Sequence, residues 1–152
     1  MTSDRPAPTE QIRRQFSLLL VAMMNGLVLY GAIALWWGPR INGGSPMIEL
    51  SSSLVIGLLG VCLIGAMLGV VVGRSGREAL HGTAIEIAEK VRARRIVGAA
   101  IAEGCGFFAV MLGILADAFP LALAPAAAAV LALFMLRPGH QEWRDLMRRA
   151  RA

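Results

Sequence analysis

Charge is what this sequence has least of. Only 16% of its 152 residues are Asp, Glu, Lys or Arg, while 57% are hydrophobic. A soluble domain of this size carries about a quarter charged residues, so an ordinary water-soluble fold is excluded. Cysteine is nearly absent as well. The two present, Cys62 and Cys105, fall within apolar stretches, where each behaves as a small apolar residue and no disulfide framework is implied. The two histidines, His81 and His140, stand alone, without neighbours at metal-ligand spacing, so neither metal nor cofactor is expected. A nucleophile–His–acid set is also missing, and "GRSGRE" lacks the lysine of a phosphate-binding loop, so the residues point away from an enzyme.

The charge deficit is concentrated in four blocks, Phe16–Trp37, Ser52–Gly73, Ile96–Leu115 and Ala118–Leu136. Crossing the hydrocarbon core takes roughly 20 apolar residues as a helix. The blocks are too long and too uniform for the alternating strands of an outer-membrane barrel. The expected fold is therefore an all-α integral membrane protein, with four transmembrane helices in a compact bundle. The first block carries "AIA" at Ala32–Ala34, like a signal-peptide cleavage site. Its apolar run exceeds the about 7–15 residues of a signal core, and Trp36 and Trp37 suit the interface end of a retained helix.

Orientation follows from the basic residues. Fourteen of the 15 Lys and Arg fall in the tail 1–15, the connection 74–95 and the tail 137–152, and Arg40 alone lies between the first two spans. Positive charge marks the cytoplasmic side, which places both termini and the long loop in the cytoplasm of a bacterial inner membrane. Arg74, Arg77, Lys90, Arg92, Arg94, Arg95, Arg144, Arg148 and Arg149 are candidates for contact with anionic lipid head groups or a protein partner. The net charge of +5 is then a topology signal and no sign of nucleic-acid binding.

Residues 75–95 form more than a connector. "SGRE" (Ser75–Glu78) fits a capping box, and Leu80, Ala84, Ile87 and Val91 make an apolar stripe at helical spacing, with Glu86 and Lys90 paired on the polar side. An amphipathic cytoplasmic helix is expected, lying on the membrane, extending the bundle or docking a partner. The C-terminal tail, with Trp143, Leu146 and Met147 among arginines, reads as a short interfacial helix. Asp117 is placed to cap the fourth span and Pro120 to occupy its first turn, while Pro125 favours a kink.

Small residues mark the packing faces. Gly57, Gly65, Gly69 and Gly73 recur at multiples of four in the second span, a glycine zipper, and Gly98, Ala102 and Gly106 do so in the third. Such faces let helices approach closely in lipid, within one chain or between copies in a homo-oligomer.

One carboxylate interrupts the third span. Glu103 in "AIAEGCGFFAVMLGIL" sits roughly 10 Å inside the cytoplasmic boundary at 1.5 Å per residue. An acid there costs about 2.5–3.5 kcal/mol if charged at the helix centre, and no Lys, Arg or His occupies any span. Asn25 in the first span lies at a similar depth and is the best polar partner visible, able to exchange hydrogen bonds with a protonated carboxyl. The residue serves as helix glue, as a proton- or cation-binding group, or as a group facing a water-filled crevice.

The stretch "AIAEGCGFFAVMLGILADAFP", preceded by a glycine-rich helix and a basic loop, resembles the carboxylate-bearing region of the ATP synthase proteolipid subunit over about residues 50–120. That resemblance implies a proton site at Glu103. The whole chain resembles small four-span bacterial membrane proteins with an Ala-x-x-Glu third helix, which implies no activity. The expected function is a non-enzymatic structural or accessory membrane component. The alternative is a proton-coupled channel, transporter or proteolipid-like oligomer working through Glu103.

Overall fold

The computed structural model describes residues 8–41, 43, 46–75 and 82–149. Among these the chain is helical and without strands, in the order α1 (Pro8–Ile41), α2 (Ser52–Arg74), α3 (Ala84–Leu115), α4 (Phe119–Leu136) and α5 (His140–Arg149). The first four are long and apolar enough to cross a membrane, and they pack together. With 34 and 32 residues, α1 and α3 each run for roughly 50 Å, well past the ~30 Å of a hydrocarbon core. Both overhang at their N-terminal ends, which lie together with the C-terminus of α4 at the arginine-rich end of the bundle.

Helix ends are set by local chemistry. Ser51 caps α2, its hydroxyl accepting from the Leu54 amide at 3.4 Å. Ser75 closes α2: its amide donates to the Val71 carbonyl at 2.8 Å and its hydroxyl to that of Val72 at 2.8 Å. Of the capping box expected at Ser75–Glu78, Glu78 lies outside the described residues. A capping box stands instead at the start of α3, where the Glu86 carboxylate accepts from the Thr83 amide at 2.9 Å and the Thr83 hydroxyl from the Glu86 amide at 3.4 Å. Gly82 precedes it with φ +138°, and a Cβ there would lie 2.5 Å from the Glu86 carboxylate. Only glycine leaves both the backbone angle and the space for that box.

Asp117 behaves differently from expectation. It does not cap α4, whose N-cap is Ala118 with no side-chain hydrogen bond. It takes a left-handed conformation with φ 50°, so that the Ala118 amide reaches back to the Gly113 carbonyl at 2.9 Å and its own amide to Ile114 at 3.4 Å. This is a Schellman closure of α3. A three-residue reversal needs one left-handed residue, and Asp tolerates that conformation better than most.

Within the bundle α3 touches every other helix, and α1 and α2 each pack against both α3 and α4 while scarcely meeting each other. The core is made largely of small side chains, with Ala66, Ala99, Ala102, Ala109, Ala129 and Ala132 at 0% exposure beside Phe16, Leu20, Leu27, Leu133 and Leu136. Between helices in lipid, close backbone approach does the work that hydrophobic burial does in water. A Cβ on Gly69 would lie 2.5 Å from the Gly98 carbonyl oxygen, and one on Gly65 2.5 Å from the Cys105 sulfur. One on Gly98 would run into the Gly69 carbonyl and the Gly73 backbone, and one on Gly73 into Leu136. Gly106 admits Leu27 of α1 and Ala129 of α4, whereas nothing lies within 4 Å of a Cβ on Gly57.

A second, smaller core sits at the arginine-rich end. Ile87, Ala88 and Trp143 are buried together, with Ile12, Ala84 and Val91 packed around them. It unites the overhangs of α1 and α3 with α5.

Candidate functional site

Among the described residues, two places bear on the expected site. The first is the middle of α3. Glu103 is half-buried there, one turn before Phe107, whose ring meets Tyr30 of α1 with centroids 5.0 Å apart. That contact, with Leu27 against Gly106, aligns α1 and α3 in parallel and puts Glu103 level with the stretch of α1 around Asn25. The two side chains nevertheless share no hydrogen bond, and among the described residues the Glu103 carboxyl makes none. Asn25 is exposed on the outside of the bundle. The helix repeat explains this: Phe16, Leu20, Leu27 and Ala34 mark the buried line of α1, and Asn25 stands two residues, or about 200°, from Leu27. Beside Glu103 the α3 surface is open, since a Cβ at Gly104 would meet nothing within 4 Å.

The second place is the arginine-rich end, where α4 stops. The last carbonyls of a helix lack intrahelical donors and lie at the negative end of its dipole. Arg74 of α2 donates to the Met135 carbonyl at 2.7 Å, and Arg95 of α3 to the Leu136 carbonyl at 3.1 Å. Arg95 also pairs with Glu142 of α5 at 2.8 Å. Arg94 reaches the Ser75 carbonyl at the end of α2, at 3.3 Å. One guanidinium thus ties α3, the end of α4 and the start of α5 together, and its planar set of five donors is what makes this three-way contact available.

Several expected site residues are therefore placed differently. Arg95, grouped above with the head-group contacts, is 2% exposed and held inside the chain. Trp143 is 3% exposed and covers Ile87 and Ala88, so it does not lie in lipid. The stripe of Ala84, Ile87 and Val91 is covered by α5 and α1 within the same chain, while Leu80 lies outside the described residues. Arg74, Lys90, Arg94, Arg144 and Arg148 are exposed and Arg92 is half-buried. Arg77 and the side chain of Arg149 lie outside the described residues. Glu142 was missed, and the signal for it was an acid close after the "RPG" turn, within reach of the arginine-rich start of the third span.

The chain matches no family model, no curated protein and no solved structure.

Proposed function

We propose that this chain is a non-enzymatic component of the bacterial inner membrane, a structural or accessory protein with both termini in the cytoplasm. The observation that carries the reading is the construction of the arginine-rich end. There Arg74 and Arg95 close α4, Arg95 holds Glu142, and Trp143 seals the overhangs of α1 and α3. The result is a fixed helical platform continuous with the four spans. Its exposed Lys90, Arg94, Arg137, Arg144 and Arg148 suit anionic lipid head groups or an acidic protein surface.

A second reading is favoured by one feature, the half-buried carboxyl of Glu103 with an open helix surface beside it. In that reading Glu103 binds a proton and the protein couples it to transport. Purified wild-type and Glu103→Gln chains in proteoliposomes separate the two. Under an imposed potential, equal proton flux with a pH-sensitive dye agrees with the accessory role. Flux present in the wild type and lost in Glu103→Gln overturns it in favour of the second reading.

A further inference from the structure

α1 carries two faces. One, through Phe16, Leu20, Leu27 and Ala34, is buried in the bundle. The opposite face presents Leu18, Ala22, Asn25, Leu29, Ala32 and Trp36 at alternating intervals of four and three residues, and all six are exposed. Asn25 lies roughly 13 Å inside the arginine-rich boundary of the span. Its carboxamide makes no hydrogen bond among the described residues.

Lipid tails cover Leu18, Leu29 and Trp36 well but offer nothing to a carboxamide, and an unsatisfied polar group in hydrocarbon is costly. The amide has two donors and an acceptor, so a second carboxamide placed opposite it is a full complement. Copies of one membrane protein insert in the same sense, and the same residue then lies at the same depth in each. A two-fold axis along the membrane normal brings identical residues face to face. The neighbours permit the approach. Ala22 and Ala32 are small, and a Cβ on Gly26 would meet nothing within 4 Å. A single Asn in an otherwise apolar helical seam is also a known way to fix register and copy number.

We propose that the outer face of α1 is the interface of a parallel homodimer, with Asn25 hydrogen-bonded to Asn25 of a second copy. The proposal rests on the membrane reading above and names one partner for it.

The test uses the full chain, labelled separately with donor and acceptor fluorophores and reconstituted in phosphatidylcholine vesicles, with flotation checked first. Energy transfer should fall as lipid is added, giving a dimer dissociation constant. Asn25→Leu should raise that constant about 3- to 30-fold, the range of interhelical hydrogen bonds in membranes. Asn25→Gln should stay close to wild type, and Ala22→Phe should weaken association by bulk. No transfer at any protein-to-lipid ratio, or an Asn25→Leu constant equal to wild type, overturns the dimer while a floating chain leaves the membrane reading intact. A chain that does not float overturns both. Should Asn25→Leu lose its helical spectrum, Ala22→Phe decides, and an unchanged constant there overturns the proposal.

Discussion

At the scale of single residues, the arginine-rich end depends on Arg95. Its guanidinium is almost fully buried, while the Glu142 side chain retains 28% of its exposure. Removing the arginine leaves a partly buried carboxylate without this partner, and the last carbonyls of α4 without one of their donors. Breaking such a pair from its buried side costs about 3–5 kcal/mol. Arg95→Ala should therefore lower the unfolding free energy in mixed micelles by about that amount and shift Trp143 emission to the red as α5 loosens. Glu142→Ala should destabilise as well, because it leaves the buried guanidinium charge without this carboxylate. Equal stability of Arg95→Ala and wild type would sink this account. The sequence showed that arginines gather here but not which one turns inward. Six basic residues lie between 74 and 95, and only the fold distinguishes the one buried against α4. Asn25 shows the same limit. Its level beside Glu103 was legible from position in the span. Its direction was not, because α1 is apolar on every side, and hydrophobic periodicity marks a packing face only where the opposite face is polar.

At the scale of elements, each apolar block lies on one helix, since length and composition suffice for that, but α1 begins at Pro8 and α3 at Ala84, well before Phe16 and Ile96. The overhangs were harder. The stretch 75–95 was expected to be an amphipathic helix running into the third span; α3 covers it from Ala84 onward and is unbroken to Leu115, while residues 76–81 lie outside the described ones. The partner of its stripe, α5, could not be read from a ten-residue polar segment. The α2–α3 contact yields the sharpest element-level prediction. Gly98 faces backbone atoms of Gly69 and Gly73, and backbone cannot move aside as a long side chain can. Gly98→Ala should force the helices apart, with a loss of about 1–3 kcal/mol or more in stability. Gly104 lies on the same helix with open space around it, so Gly104→Ala should be neutral or stabilise by up to about 1 kcal/mol through helix propensity. Melting curves of the two variants in the same detergent test the pair. A milder effect at Gly98 than at Gly104 would mean that α2 and α3 do not meet as described.

At the scale of the whole molecule, an even number of spans puts the two termini on one side whichever way the bundle inserts. Charge then selects the side. Among the described residues, Arg13, Arg74, Arg94, Arg95 and Arg144 lie at one end, and Arg40, which stands over the Trp36 ring at 4.6 Å, lies at the other. Arg74 and Arg95 are used in folding, but their charges still count during insertion, when α4 and α5 have yet to pack. The expected topology is thus cytoplasmic at both termini. On the proposed topology, alkaline phosphatase joined after Gly43 should be active, and inactive when joined after Ser75 or at the C-terminus. Activity at Ser75 would overturn the orientation and move the arginine platform to the outer face, away from the anionic leaflet that suits it. The same fusions bear on association. If every copy exports the Gly43 connection, the copies are parallel and Asn25 lies at one depth in all of them. A mixture of both orientations would offset the two Asn25 residues by about 4 Å in a core of about 30 Å and would remove the two-fold axis along the membrane normal on which the proposed pairing rests.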